Sequence, residues 1–179
     1  MAIDRASLRT IIDVHHRPLH AFLFRLTNDA TLADDLTQQT FIRLLTYDGD
    51  APDNLRGWLL TVGRNLAYDY FRSAQYRHEE AADFADNASI IPDNALTPEQ
   101  ITINADQQQT VAALLDRLPI SQREVLVLRY YHDLPLAEIA GVVDAPVGTV
   151  KSRLFHALKK LKGHLMEVGH THDNTTFER

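Results

Sequence analysis

Residues 134–162 read LPLAEIAGVVDAPVGTVKSRLFHALKKLK, two apolar-periodic segments on either side of Asp144-Ala145-Pro146. Leu136 to Val143 predicts one short helix and Val147 to about Leu161 a second, joined by the three-to-four-residue turn of a helix-turn-helix. Pro146 suits the first turn of the second helix, where its missing N–H costs nothing. Small Ala140 fits the point where the helices cross, and Ile139, Val143, Val150 and Leu154 fall on the facing sides. The other face of the second helix carries Lys151, Ser152, Arg153, Phe155 and His156, followed by Lys159, Lys160 and Lys162, and no acid occurs between Ala145 and Met166. A helix N-terminus of this kind can offer polar side chains to base edges and cations to phosphates or guanine in a major groove.

Upstream, Thr97-Pro98-Glu99-Gln100 predicts a helix start, and Val111, Leu114, Leu115 and Leu118 give an apolar face. Ser121 and Glu124 have capping-box spacing ahead of Val125, Leu126 and Leu128. Further toward the N-terminus, three more helices are expected. One runs from about Ser7 to Leu26, with Pro18 as a possible break or kink. A second follows a Thr31/Asp34 capping box and presents Leu36, Thr40, Phe41, Leu44 and Leu45 on one side. A third carries Leu59, Val62, Leu66 and Tyr70 after the turn chemistry of Asp48 to Asn54. Trp58 reads as a core anchor. The fold class expected is all-α: two small helical domains joined by a flexible linker.

The boundaries follow from where periodicity fails. Residues 5–76 form a first helical domain, 77–97 an acidic linker, 98–168 a second domain, and 169–179 a polar tail. The chain of 179 residues has a formal charge of -6, unfavourable for a partner made of phosphates. Its distribution removes the difficulty. Residues 1–75 hold 8 basic and 9 acidic side chains, 76–110 hold 1 and 7, and 111–179 hold 9 and 8, so the excess sits in the middle. If extended, the 21 linker residues span up to about 70 Å, comparable to two turns of B-DNA.

Four blocks then resemble the extracytoplasmic-function sigma factors. They are Asp35-Leu36-Thr37-Gln38-Gln39-Thr40-Phe41, the run Gly57-Trp58-Leu59-Leu60-Thr61-Val62-Gly63-Arg64-Asn65-Leu66-Ala67-Tyr68-Asp69, then Gln122-Arg123-Glu124-Val125-Leu126-Val127-Leu128-Arg129, and finally Val147-Gly148-Thr149-Val150-Lys151-Ser152-Arg153-Leu154. The resemblance implies a region 2 helical bundle followed by a region 4 helix-turn-helix. It implies an alternative sigma factor that binds RNA polymerase core and directs promoter recognition and melting. Asp35, Gln38, Gln39 and Phe41 would then meet the clamp helices of the polymerase largest subunit, and the flap of the second subunit is a further partner. Asp50, Asn54, Arg64, Asn65, Tyr68 and Arg72 would grip the melted minus-ten strand. Arg129, Thr149, Lys151, Ser152, Arg153, Phe155, His156 and Lys159 would serve the minus-thirty-five element of promoter DNA. An anti-sigma factor is an implied partner, and the acidic linker would lie in the positively charged channel of the polymerase. The chain departs from the family at Gln39, usually glutamate, at Pro135, often Ser or Thr, and at Asp144, often Gly.

Other functions find little material. Zero cysteines exclude thiolate chemistry and disulfides. The nine histidines form no catalytic or metal-binding constellation: His16 and His20 lack an accompanying acid motif, and His170 and His172 lie in the polar tail. No catalytic residue, metal or cofactor is expected, nor a small-molecule substrate. No stretch approaches the roughly 18 apolar residues of a membrane span, and no secretion signal is present, which predicts a cytoplasmic protein. The alternative reading is an autonomous helix-turn-helix transcriptional regulator that needs no polymerase.

Overall fold

The computed structural model describes residues 5–50, 52–73 and 113–173, with side chains from 7 to 164 within those ranges. The expected linker, the start of the second domain and the last six residues of the tail lie outside the described residues. Among the described residues six helices are defined: α1 (Arg5–Thr27), α2 (Ala30–Leu45), α3 (Leu55–Arg72), α4 (Ile120–Tyr130), α5 (Leu136–Val143) and α6 (Val147–Asp173). A helical turn at 113–116 precedes α4. The molecule is all-α, with one helical cluster on either side of the linker.

Pro18 does not split α1, which continues through it for 23 residues. Pro18 and Val14 are both exposed, so the carbonyl four residues back, deprived of its partner, faces water rather than the core. The helix ends at Asn28, which adopts the left-handed conformation at φ 53° that short polar side chains tolerate. Asp29 then caps α2, its carboxylate accepting from the Leu32 amide at 3.0 Å. The cap is therefore Asp29, two residues before the expected Thr31. Likewise Pro119, without a side-chain cap bond, precedes α4 in place of the expected Ser121/Glu124 box. Pro135 likewise offers α5 no cap. Asp144, at φ 52°, supplies the left-handed stop that glycine often provides, with its amide donating to the Ala140 carbonyl.

In the first cluster, Leu19, Phe22, Leu23 and Leu26 of α1 pack with Ala33, Leu36, Phe41 and Leu44 of α2 and Leu59, Leu60, Leu66 and Ala67 of α3. Thr37 and Thr40 are buried among them and return their hydroxyls to the Ala33 and Leu36 carbonyls, each at 2.7 Å, so neither is left unsatisfied. Gly63 lets the helices close: a methyl there would stand 3.1 Å from Leu19 and 3.3 Å from the Thr40 hydroxyl. The second cluster packs Leu115, Leu118, Val125, Val127 and Leu128 against Ile139, Val142, Val143, Val150, Leu154 and Leu158. Ile139, Val143, Val150 and Leu154 take the core positions expected of them.

The two clusters are not separate. Their cores form one continuous cluster, because α1 packs on α4 and α3 packs on α5. The contact is both apolar and polar. The Phe22 ring meets His132 edge-on at 5.6 Å, and Arg25 lies 4.0 Å over the Tyr131 ring. Arg123 donates to the Leu26 carbonyl at 3.0 Å while holding the Asp116 carbonyl at 2.8 Å. Arg56 donates to the His132 carbonyl, and the Asn28 side-chain amide donates to Asp116. Sequence periodicity reports which face of a helix is apolar, but it does not report that two such bodies share a boundary.

His132 is 6% exposed, and its Nε2 has no hydrogen-bond partner among the described residues. Burial, with the charges of Arg56 and Arg25 adding to it, lowers its pKa from 6.5 to about 4. The folded chain thus prefers the neutral ring. That preference is complete above the unfolded value and is lost as pH falls from 6.5 toward 4. We expect the loss to cost about 1–2 kcal/mol after solvent screening. Thermal unfolding from pH 7 to pH 4.5 checks this: His132→Phe, which cannot take up a proton there, should lose less Tm than the parent chain. Identical slopes would contradict it.

Candidate nucleic-acid interface

The α5–α6 pair is a helix-turn-helix whose turn, residues 144–146, is closed by the Ala145 amide on the Ala140 carbonyl at 3.1 Å. Burial of Val150, Leu154, Ala157 and Leu158 turns the opposite side of α6 outward. Lys151, Lys159, Lys160 and Lys162 are exposed there, and Thr149, Arg153, Phe155 and His156 are half-buried. Phe155 and His156 meet edge-on at 5.6 Å. Ser152 departs from its expected place among the groove-facing residues: it is 5% exposed, and its hydroxyl has no hydrogen-bond partner among the described residues. It sits two residues after Val150 and two before Leu154, half a turn away from the buried stripe by helical phase, so its burial does not follow from that stripe. Arg129 is also engaged, donating to the Leu134 carbonyl at 2.9 Å, where it ties the end of α4 to the turn before α5.

On α3 the expected nucleic-acid stripe divides. Asn65 and Arg72 are exposed, whereas the side chain of Arg64 is 13% exposed and Tyr68 is 7% exposed. The reason is Glu124, a fully buried carboxylate of α4. Arg64 grips it with both ends of its fork, Nε to Oε2 at 2.7 Å and Nη2 to Oε1 at 3.2 Å. A third donor, Nη1, reaches the Asn65 side-chain oxygen at 3.2 Å. The Arg64 guanidinium also lies 4.2 Å over the Tyr68 ring, and Arg153 of α6 approaches Glu124 at 3.5 Å. Burial pushes the Glu124 carboxyl above its ordinary value, although hydrogen bonding and attraction from Arg64 pull the other way. Burial, reinforced by the Glu124 charge, pushes the Tyr68 phenol upward too. A planar guanidinium over an aromatic ring is also the arrangement that a nucleic-acid strand uses, charge on phosphate and ring on base.

The loop before α3 carries Asp50, exposed, and Asn54, which is exposed but caps α3 by accepting from the Gly57 amide at 2.9 Å. Beside it, Tyr47 is 46% exposed and its ring lies 5.3 Å from the ring of Trp58. Trp58 packs against the core, as expected of an anchor. Tyr47 was not singled out from the sequence. Its signal is the glycine two residues on: any side chain at Gly49 would run into the Tyr47 ring, so the ring is seated on bare backbone.

On α2, Asp35, Gln38 and Gln39 are exposed, as a partner-facing stripe requires. Phe41 is not part of it. It is 6% exposed in the core, with its ring 6.3 Å from that of His16. The residue that continues the stripe at i+3 from Gln39 is Ile42, 56% exposed, followed by Leu45 at 52%. Helical spacing alone identifies Ile42, because Asp35, Gln38, Gln39 and Ile42 follow i, i+3, i+4, i+7. His20, four residues after His16, pairs with Asp34 at 2.9 Å, and among the described residues no three potential metal ligands cluster. No helix among the described residues is long and apolar enough to cross a membrane.

Two family models match the chain, Sigma-70 region 2 over residues 11–77 and Sigma-70 region 4 over residues 108–161. The ECF RNA polymerase sigma factor SigL of Mycobacterium tuberculosis is 35% identical over 177 residues, 95% of either chain. EcfG of Rhodopseudomonas palustris is 36% identical over 165 residues, 91% of this chain and 87% of that one. Among solved structures, the sigma factor RpoE in complex with the anti-sigma factor NepR from Bartonella quintana superposes with a TM-score of 0.64 at 24% identity, covering 88% of this chain and 96% of that one. CnrH in complex with the cytosolic domain of CnrY gives 0.62 at 24% identity, over 92% and 90%. An all-α fold, a helix-turn-helix with an outward basic face, and relatives aligned from end to end converge: the chain belongs to the extracytoplasmic-function (ECF) RNA polymerase sigma factors, a family of non-enzymes.

Proposed function

We propose that the chain binds RNA polymerase core and directs it to promoters that carry a minus-ten and a minus-thirty-five element. The observation that carries this reading is the basic outer face of α6, with Lys151 near its start and Lys159 two turns later, both exposed on a helix whose other side is closed against α4 and α5. Lys151 lies where a major-groove helix reads base edges, and Lys159 where it meets phosphate. Thr149, Arg153, Phe155 and His156 border them. Asn65 and Arg72, with Arg64 and Tyr68 once released, form the surface for the melted minus-ten strand, beside the loop with Asp50 and Tyr47. The polar stripe of α2 extended by Ile42 is the docking face for the polymerase clamp. The domain limits proposed are 5–76, 77–97, 98–168 and 169–179.

An anti-sigma factor is the further partner proposed, because two structurally similar proteins are complexes of that kind or of a cytosolic protein domain. The docking stripe and the α6 face are the surfaces such a partner would have to cover. The whole of the proposed chemistry is recognition, and the linker, which lies outside the described residues, keeps both reading bodies on one polymerase so that the second contact is intramolecular.

Transcription in vitro with core polymerase on a library of genomic fragments tests the reading. Start sites should share two upstream elements at fixed spacing, and tight duplex binding should require core. A chain that shifts duplex DNA equally well without polymerase would instead be an autonomous regulator. Ile42→Glu should lower affinity for core about ten-fold, worth about 1.4 kcal/mol, with little change in Tm because the site is exposed. Phe41→Ala should do the reverse, costing about 3–5 kcal/mol of stability. In polymerase–promoter binding measured against salt, Lys151→Ala should cost about 1–3 kcal/mol and relax one promoter position, whereas Lys159→Ala should weaken all sequences alike and reduce the salt slope by about 1.

A further inference from the structure

We propose that the apolar leading turn of α6 reads a thymine of the minus-thirty-five element, with the Val147 side chain packed on its C5-methyl group in the major groove. The proposal deepens the sigma-factor reading and rests on it.

The sequence places three residues without a side-chain donor or acceptor, Pro146, Val147 and Gly148, at the head of an otherwise basic helix. Pro146 and Gly148 are exposed, and Val147 is 39% exposed against 0% for Val150. Ala145 before them still packs on the core, whereas among the described residues Val147 belongs neither to the core nor to the side chains packed against it. The space beside it is open as well, since a Cβ added at Gly148 would meet no atom within 4 Å. A single exposed valine is ordinary on a protein surface. This one stands on the leading turn of the helix that enters the groove, where the partner that buries it is the DNA.

The chemistry of that turn restricts what it can recognise. In the major groove guanine, cytosine and adenine present hydrogen-bonding groups, and thymine alone adds a methyl group. Side chains of proline, valine and glycine make no hydrogen bond, so the feature they can select is the methyl. Gly148, bare of any side chain, lets the groove wall approach the backbone beside Val147. Lys151 follows one turn later on the same side of α6 and is exposed. That separation is about 6 Å along the axis, or about two base-pair steps, which places the thymine within about two base pairs of the position that Lys151 reads. Phe155, the next apolar residue on this side, is half-buried, and its ring is already met edge-on by His156.

The test uses the full chain bound to core polymerase, on a promoter chosen by start-site mapping. Each thymine of the minus-thirty-five element, on either strand, is replaced in turn by deoxyuridine, which keeps the pairing and the O4 acceptor and lacks the methyl. One such position, close to the one relaxed by Lys151→Ala, should lose affinity about four-fold, the effect of one buried methyl-sized group. Val147→Ala should lose about as much on the thymine promoter and nothing further on the uracil one, while Val147→Ile should keep the difference. The comparison of thymine with uracil on the parent chain needs no variant, so it decides the matter even if a variant fails to fold. An element without thymine, no penalty for uracil at any of its thymines, or a penalty undiminished in Val147→Ala overturns the proposal while leaving the sigma reading intact. A parent chain that selects no start sites with core overturns both.

Discussion

A carboxylate with no exposed surface, held between two guanidiniums, is the constraint around which this molecule is arranged. Removing Glu124 from water is costly, and that cost is offset only while Arg64 supplies two aligned hydrogen bonds and Arg153 adds a weaker one. The three residues come from α3, α4 and α6, so the electrostatic requirement of one side chain fixes the relation of three helices. The apolar contact of Phe22 with His132 and the continuous core complete the seam. An apolar seam alone tolerates sliding; a bidentate ion pair sets the register.

That arrangement gives physical content to the difference between holding a fold and performing a function. Each helical body satisfies its own backbone through local devices: Asn28 and Asp144 in the left-handed conformation, Asp29 and Asn54 as caps, and the threonine hydroxyls of α2 turned back on their own helix. The seam also carries charged groups, among them Arg25, Arg56, Arg64, Arg123 and Glu124, over the continuous apolar core.

Much of this was legible from residues alone, because helices, apolar faces and the helix-turn-helix follow from periodicity and turn chemistry within short windows. Leu136 to Val143 and Val147 onward, with Asp144 between them, are local signals, and the structure has them where the pattern puts them. What periodicity does not report is a residue that serves a distant partner. Glu124 has the spacing of a capping acid after Ser121, but it shares a face with buried Val127 and Leu128 and spends its charge on Arg64, 60 residues away. Arg64 and Tyr68 look like a free stripe for the same reason. The motif places Phe41 on the partner face, whereas its large aromatic side chain sits in the core and exposed Ile42 holds the neighbouring position. Ser152 is buried although its helical phase is opposite that of Val150 and Leu154, a burial that the periodicity of its own helix does not report.

The coupling between positions 64 and 124 tests the central claim most directly. Urea unfolding of the parent chain, Arg64→Met, Glu124→Gln and the double variant gives the interaction energy free of each residue's separate effects. The account predicts a favourable coupling of about 2–4 kcal/mol, as for a buried pair that shares two hydrogen bonds. A coupling below about 0.5 kcal/mol, the level of independent sites, would contradict it.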